Sequence, residues 1–186
     1  MQSQKSVLAA ALAISLGGLV SPAFADDVYC PPSLGRVTID GNVIVVGRCT
    51  LDGTTVKGNV KVERGGELTA TKAYIDGNIQ AEGARFARVS HSSVKGDIQI
   101  DNVSGQESRI NRTTVDGNIQ LVSNHAPLLV QYSVIDGDLQ AFGNTGGVVI
   151  RYNTIDGNLQ CKSNRPAPIG GGNQVSGNRE DQCARL

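Results

Sequence analysis

The chain has 186 residues, of which 4% are aromatic and 23 are glycine, and it contains no tryptophan. Its 17 Lys and Arg residues balance 17 Asp and Glu residues, so its bulk charge gives no reason to expect a polyanion or a membrane surface as partner. A compact globular core of this size would usually contain more large rings. The abundant Gly, Val, Ile, Asn and Thr favour a thin, repetitive β core instead.

Residues 1–25 have the pattern of a secretory signal peptide. Lys5 precedes the apolar run VLAAALAISLGGLV, and the small-residue cleavage pattern Ala23-Phe24-Ala25 follows. The run is short for a membrane-spanning helix. We therefore expect export to the periplasm or the extracellular space, cleavage near Ala25, and a soluble mature chain with no transmembrane segment. Cleavage removes one Lys and no acidic residue, which leaves a net charge of −1.

Four cysteines lie near the two ends of the expected mature chain, at Cys30, Cys49, Cys161 and Cys183. Export leads to an oxidising compartment, where such cysteines form disulfides. Three pairings exist, and local pairing follows if the two ends of the fold are far apart. We expect Cys30–Cys49 and Cys161–Cys183, with no free thiol. Residues 26–186 would then form one domain, with an N-terminal cap at 26–52 and a C-terminal cap at 161–186.

A motif of the type IDGNIQ recurs along the whole of this domain. Its glycine stands at eight positions, at intervals of 17 to 21 residues: Gly41, Gly58, Gly77, Gly96, Gly117, Gly137, Gly157 and Gly177. The residue two before each glycine is β-branched. The residues two and four after it are apolar until the last repeat, and the residue between them is mostly polar. This alternation is typical of β-strands.

One such repeat cannot bury its own apolar face, so successive repeats must stack. The sequence therefore predicts an all-β, single-stranded parallel β-helix, or β-solenoid, of about eight turns of about 20 residues. Seven intervals between glycines would give a rod roughly 34 Å long. We expect each motif glycine to adopt φ > 0 at a sharp corner. The Asn or Asp after it should form a ladder along the axis.

In its repeat length, its expected parallel stacking and its corners of the NTIDGN type, the chain resembles the right-handed parallel β-helix proteins of the pectate-lyase-like superfamily. The chain is more closely similar to short exported bacterial β-helix proteins with DGNIQ-type repeats and a Cys-bearing ending, here Asn158–Cys183. The resemblance covers essentially all of the expected mature chain. It implies right-handed coiling and an exported location, and it carries no assigned chemistry. The alternative, a left-handed hexapeptide helix, requires a six-residue period that the intervals do not show.

The residue before each motif glycine forms a polar row: Asp40, Lys57, Asp76, Lys95, Asp116, Asp136, Asp156 and Ser176. Asp-Gly is a common corner dipeptide because Asp bonds its own backbone, and we favour this structural interpretation. The alternative is a catalytic or cation-binding row, as the resemblance to β-helix hydrolases and lyases implies. Asp116, Asp136 and Asp156 are then the candidates for a weak calcium site.

The residue five before the glycine forms a second row of interest, with Lys72, His91, Arg112, Tyr132 and Tyr152. We call this row the corner stripe. As a functional feature it would be a basic and aromatic surface for a polysaccharide or another acidic polymer. As a structural feature it is a solvated face of long side chains that cover the β surface. We favour the structural interpretation because Glu82, Asp101 and Glu107 interrupt the positive charge.

No interval exceeds 21 residues, so no long loop is available to wall a substrate cleft. His91 and His125 stand at different repeat offsets with no partner nucleophile, and we expect both to face solvent.

These observations favour a non-catalytic structural or adhesive protein of the cell envelope or extracellular matrix, without a cofactor. The alternatives are a polysaccharide-binding module and a small glycan-active lyase or hydrolase. The expected partners are an extracellular polysaccharide or another envelope protein, with no specific nucleic-acid signal.

Overall fold

A computed structural model describes residues 26–186, and the expected signal peptide lies outside the described residues. Short strands follow one another along the whole of the described chain. The first twelve are β1 (Val28–Cys30), β2 (Thr38–Ile39), β3 (Val43–Val45), β4 (Arg48–Asp52), β5 (Thr55–Val56), β6 (Val60–Val62), β7 (Glu67–Thr71), β8 (Tyr74–Ile75), β9 (Ile79–Glu82), β10 (Phe86–Ser90), β11 (Ser93–Val94) and β12 (Ile98–Asp101).

The next twelve strands follow the same pattern, in which one two-residue strand alternates with two longer strands. They are β13 (Ser108–Asn111), β14 (Thr114–Val115), β15 (Ile119–Val122), β16 (Leu128–Gln131), β17 (Val134–Ile135), β18 (Leu139–Phe142), β19 (Val148–Arg151), β20 (Thr154–Ile155), β21 (Leu159–Lys162), β22 (Ile169–Gly171), β23 (Gln174–Val175) and β24 (Arg179–Asp181).

Hydrogen bonds join these strands into three parallel sheets. Sheet A has the order β1-β3-β6-β9-β12-β15-β18-β21-β24, sheet B the order β4-β7-β10-β13-β16-β19-β22, and sheet C the order β2-β5-β8-β11-β14-β17-β20-β23. Each complete turn thus contributes one strand to each sheet. The predicted all-β parallel solenoid is confirmed. It has about seven turns of about 20 residues where about eight were expected, because the eight motif glycines bound seven complete turns.

The core is a set of apolar columns in which like packs on like. Along sheet A, Ile98 pairs with Ile119, which pairs with Leu139 and then with Leu159, and all four side chains are fully buried. Burial of one such side chain stabilises the fold by about 1.5–3 kcal/mol. The columns therefore supply the cohesion that a single turn lacks.

The motif glycines do not adopt the positive φ that the sequence suggested, so that expectation is wrong. The glycines with positive φ are others, such as Gly53, Gly83 and Gly143. At the motif corners successive turns approach closely: the amide of Gly137 donates to the carbonyl of Gly117 at 3.1 Å. A Cβ on Gly117 would lie 2.8 Å from the backbone of Gly96 and would also meet Oδ1 of Asp97. Steric exclusion, and not the sign of φ, requires glycine here.

All five residues of the corner stripe have positive φ, as do Asn102, Ser123, Ser163 and Asp181 elsewhere in the turns. The φ values of the stripe lie between 49° and 56°, at Lys72, His91, Arg112, Tyr132 and Tyr152. Gly53 and Gly172 hold the same offset in flanking turns, with φ of 66° and 70°. The stripe is therefore the left-handed corner between sheets B and C, a conformation that bulky residues rarely adopt.

The Asn and Asp residues after the motif glycines form the predicted ladder. Asn78 donates its backbone amide to Oδ1 of Asn59 at 2.9 Å and its side-chain amide to the same oxygen at 3.1 Å. Asp97 and Asp138 keep the ladder continuous because their Oδ1 atoms accept in the same way, as in the 2.7 Å bond from Asn118 to Asp97. They lack the side-chain donor, so only their backbone amides bond to the preceding rung. The ladder accounts for the Asn or Asp that follows each motif glycine.

Two further polar ladders run inside the rod, and neither was predicted from the sequence. In one, Asn124, Asn144 and Asn164 are almost fully buried, and Nδ2 of Asn144 donates to Oδ1 of Asn164 at 2.8 Å. In the other, Ser133 and Asn153 satisfy the corner backbone, since the amide of Ser133 donates to Oδ1 of Asn153 at 3.0 Å. Stacked amides thus replace apolar packing at two corners of the later turns.

Both predicted disulfides are present, and residues 26–186 contain no free cysteine. Cys30 on β1 is bonded to Cys49 on β4, and Cys161 on β21 is bonded to Cys183 after β24. All four residues are buried, and Leu186 packs against the same core. Each bridge therefore ties an end of the chain to the apolar column that it covers. No part of residues 26–186 forms a helix that could cross a membrane.

Candidate functional site

The polar row before the motif glycines contains ion pairs between successive turns. Nζ of Lys57 lies 2.7 Å from Oδ1 of Asp40, and Nζ of Lys95 lies 2.8 Å from Oδ2 of Asp116. The hydrogen bond to its carboxylate raises the pKa of each lysine. A hydrogen bond to Asp76 likewise raises the pKa of the Tyr74 hydroxyl. The first five members of the row are therefore paired within it or with a neighbouring residue.

The calcium candidates in this row do not form a cluster. Asp116 is held by Lys95, while Asp136 and Asp156 are exposed one and two turns further along. Within residues 26–186, no three His, Cys, Asp or Glu side chains lie close enough together to hold a metal ion. The calcium site stays a prediction without a geometric centre, and we base no proposal on it.

The corner stripe forms a stacked column of side chains. The rings of Tyr132 and Tyr152 stack at 5.2 Å with an angle of 8° between their planes, and the Arg112 guanidinium lies 5.1 Å from the Tyr132 ring centre. A Cβ on Gly172 would lie 2.7 Å from Cδ1 of Tyr152, so that glycine backbone covers the ring. Both tyrosines are about half exposed, and what they present to solvent is their edges and hydroxyls.

This geometry limits what the corner stripe can bind. A sugar ring stacks on an aromatic face, and here the neighbouring turns occupy those faces. Lys72, His91 and Arg112 are exposed at the same corner, so the earlier half of the stripe offers positive charge. Glu82 and Asp101 lie on sheet A, and thus not on the corner between sheets B and C whose charge they were expected to interrupt.

An open groove of about 390 Å³ lies on the outer face of sheet A, across β6, β9 and β12. We call it the sheet A groove. One wall is the polar column three residues after the motif glycine, and the other is the column five residues after it. The groove is lined by Lys61, Val62, Glu63, Arg64, Gln80, Ala81, Glu82, Gln99 and Asp101.

Three carboxylates line one wall of the sheet A groove, one from each of three successive turns. Glu82 and Asp101 are partners in strand register, and Glu63 belongs to the preceding turn. None of the ion pairs within residues 26–186 includes these carboxylates, Lys61 or Arg64. The guanidinium of Arg64 extends along the axis to the next turn, where a Cβ on Gly83 would lie 3.3 Å from its Cζ.

Asp101 is the most unusual group in the sheet A groove. Its Oδ1 is buried and has no hydrogen-bond partner in the protein, the single buried side-chain oxygen or nitrogen within residues 26–186 of which this is true. Burial raises the pKa of the Asp101 carboxyl, the charge of Glu82 adds to this, and a backbone hydrogen bond from Val122 opposes it. A shifted carboxyl in a groove marks a candidate functional site.

The opposite wall of the sheet A groove is the exposed carboxamide ladder. Nε2 of Gln80 donates to Oε1 of Gln99 at 3.3 Å, which leaves an acceptor on Gln80 and donors on Gln99 free for a ligand. The alternation of the repeat predicts that this column faces outward. The groove was not predicted, although the sequence holds a signal for it: Gln80 and Glu82 in one repeat and Gln99 and Asp101 in the next have the same spacing.

In comparisons with protein-family models, curated proteins and solved structures, no match to the chain was found.

Proposed function

We propose that the chain is an exported, non-catalytic structural or adhesive β-helix protein of the cell envelope or extracellular matrix. The observation that carries the proposal is the continuous register of all three sheets. Inward columns, the glycine column and the Asn ladders are all used to hold one turn on the next. What remains for function is a set of outward rows that repeat once per turn, which suits the display of an extended surface.

The two disulfides support the exported location, because such bonds persist in oxidising compartments. The resemblance to short exported bacterial β-helix proteins with DGNIQ-type repeats, and more broadly to the pectate-lyase-like superfamily, supports the same placement. The partner that suits such a surface is an extracellular polysaccharide or another envelope protein.

The experiment has two parts, on one preparation of residues 26–186. Co-sedimentation with insoluble envelope polysaccharide and with intact cells tests adhesion. Incubation with pectin, alginate and peptidoglycan fragments, followed by reducing-end and unsaturated-product assays, tests catalysis. We expect binding without cleavage. Sustained turnover abolished by Asp101→Asn would overturn the proposal in favour of an enzyme.

The sheet A groove favours a second candidate function, a polysaccharide-binding module. It combines carboxylates, carboxamides and cationic side chains on a concave surface, the donors and acceptors that orient a hydroxyl-rich ligand. Gln99→Ala should then weaken binding of a soluble glycan more than Gln140→Ala does. Gln140 holds the same column two turns further along, outside the groove.

A further inference from the structure

We propose that the corner between sheets B and C binds a sulfated polysaccharide, whose ester sulfate groups contact Lys72, Arg112 and Arg151. We call these three residues the corner cations. The inference rests on the proposed function, because it names the class of polymer to which the adhesive surface binds. All three side chains belong to exposed residues, and none of the ion pairs within residues 26–186 includes them.

The backbone does not explain which residues occupy this corner. The corner after each strand of sheet A has positive φ in five successive turns as well, between 55° and 64°, and there the residues are small: Gly83, Asn102, Ser123, Gly143 and Ser163. The corner stripe adopts the same conformation with three long polar side chains and two tyrosines. Bulky residues in this conformation cost free energy, and such strain is concentrated at functional sites. The side chains of the stripe are therefore retained for what they present to solvent.

Neutral partners orient both arginines without compensating their charge. Nε of Arg151 donates to Oε1 of Gln131 at 2.9 Å, and Nε2 of Gln131 donates to Oδ1 of Asn111 at 3.1 Å. The guanidinium of Arg112 lies 5.1 Å from the centre of the Tyr132 ring. Both guanidinium groups thus keep their full charge for an anion outside the protein, and their geometry suits an oxyanion.

The columns that flank the stripe carry neutral or basic side chains. On the sheet B side the register partners are Thr71, Ser90, Asn111, Gln131 and Arg151. On the sheet C side they are Tyr74, Ser93, Thr114, Val134 and Thr154. From Lys72 to Tyr152 the stripe crosses four intervals between turns, or roughly 19 Å along the axis. This uninterrupted positive field suits a linear polyanion that runs parallel to the rod.

An open depression of about 380 Å³ lies at the C-terminal end of the stripe. It is lined by Arg151, Tyr152, Gly170, Gly171 and Gly172. The three glycines have no side chains, so the Arg151 guanidinium is accessible from this end of the rod. The depression gives a sugar ring room beside that charge, and its lining contains no carboxylate.

The covered tyrosine faces favour a polymer that binds through its charged groups. Tyr132 and Tyr152 stack on each other, and the backbone of Gly172 covers the outer ring, so sugar rings cannot stack there. An ester group projects from the sugar on an exocyclic oxygen, whereas the carboxylate of a uronic acid is attached directly to the ring. A sulfate ester also carries a single charge, which matches at most one corner cation per turn. A phosphate monoester approaches two charges at neutral pH.

The test is isothermal titration calorimetry of residues 26–186 with dextran sulfate, carboxymethyl-dextran and neutral dextran of matched length and substitution, and with duplex DNA. We expect dextran sulfate to bind at least about fivefold more tightly than the carboxymethyl form, because its charged groups reach the corner cations. Its affinity should fall as salt is added, and neutral dextran should not bind. Equal affinity for carboxymethyl-dextran or for DNA would overturn the proposal, as would the absence of measurable binding to dextran sulfate.

A triple variant places the binding at this corner. Lys72→Asn, Arg112→Asn and Arg151→Gln together should weaken binding of dextran sulfate by about tenfold or more, because three exposed ion pairs with the ligand are lost. Asparagine suits the left-handed corner, as Asn102 shows at the other corner, so the variant should fold. Circular dichroism and thermal unfolding verify this. A folded variant with unchanged affinity would overturn the assignment, and reduced stability with unchanged affinity would mean that the stripe only covers the β surface.

The matched control removes the same charge from another face of the rod. Lys61→Gln, Arg64→Gln and Lys162→Gln change three exposed residues in β6, in β21 and after β6. At physiological salt this variant should keep the affinity of the native chain, because exposed charges on a distant face are screened. An equal loss in the two triple variants would show that only the net charge matters, and would overturn the assignment to the corner.

The co-sedimentation assay separates this inference from the proposed function. If the protein adheres to envelope material and dextran sulfate does not bind, the ligand class is wrong and the adhesive function stands. If neither binds, both are wrong.

Discussion

Glycine at the motif corners is required by the distance between successive turns. A Cβ at Gly117 would meet the backbone of the turn before it, and side-chain rotation cannot relieve a contact with backbone. The neighbouring left-handed corner, where glycine would relieve a strained φ, holds lysine, histidine, arginine and two tyrosines instead. At the scale of single residues, packing between turns therefore outweighs intrinsic backbone preference.

Substitution of Gly117 by alanine tests this directly. We expect Gly117→Ala to destabilise the fold by about 1–3 kcal/mol or more, the range for overpacking, because the corner cannot widen without breaking the glycine ladder. The measurement is urea unfolding followed by circular dichroism. Gly35→Ala is the control, since a Cβ there would meet nothing within 4 Å. Equal stability of the two variants would show that the stack tolerates a wider corner.

The raised pKa of Asp101 predicts that the stability of the fold depends on pH. Its pKa is raised in the folded chain, so its contribution to stability is fully present below the unfolded pKa and is lost as the pH rises through the folded pKa. The free energy of unfolding of the native chain minus that of Asp101→Asn should therefore fall as the pH rises from below 3.8, the ordinary Asp value, towards neutrality. The other charged groups that line the same groove are Lys61, Glu63, Arg64 and Glu82, of which Glu82 is the register partner of Asp101.

Paired urea titrations of the two proteins between acid and neutral pH measure this difference. Comparison with the variant cancels the contributions of the other carboxyls. A difference that rises with pH would mean that Asp101 gains a favourable partner when it ionises, which would contradict the shift.

At the scale of elements, the periodicity of the sequence was enough to predict parallel strands, their stacking and their outward and inward columns. It was not enough to separate the inner Asn ladder of Asn124, Asn144 and Asn164 from ordinary loops. Asparagine is frequent in turns, so its presence at these positions does not by itself indicate a stacked corner. The groove on sheet A also escaped prediction. Its two walls belong to columns that are recognisable singly, and only the register of β9 and β12 shows Glu82 and Asp101 as neighbours.

The inner ladder gives a prediction of its own at this scale. Asn144 accepts from the amide of Asn124 at 3.0 Å and donates to the carbonyl of Leu121 at 2.9 Å. Asn144→Ala removes both bonds and leaves the buried amide of Asn124 without its acceptor, which costs about 1–3 kcal/mol. Thermal unfolding should therefore show a large loss of stability. Asn178→Ala removes an exposed amide from the last rung of the outer ladder and should be close to neutral.

At the scale of the whole molecule, the stacking that stabilises the rod creates a difficulty at its ends. Each sheet finishes in a strand with no further neighbour: β24 in sheet A, β22 in sheet B and β23 in sheet C. Such edges pair readily with another chain. Residues 182–186 fold back here, with Cys183 and Leu186 against the core and the Gln182 carboxamide bonded to Asn164.

Removal of the C-terminal bridge tests whether this cap keeps the end closed. The Cys161–Cys183 bridge spans a sequence separation of 22 residues, for which the chain-entropy model gives about 3 kcal/mol of stability. We expect the double variant Cys161→Ser, Cys183→Ser to lose a comparable amount and to expose the last strands. Size-exclusion chromatography with light scattering should then show end-to-end association that increases with protein concentration.

The double variant Cys30→Ser, Cys49→Ser is the matched control for the loss of one bridge. Its two cysteines have a sequence separation of 19 residues, and the change leaves the C-terminal cap closed. If the C-terminal variant stays monomeric and as stable as the native chain, the folded-back segment closes the rod without its disulfide.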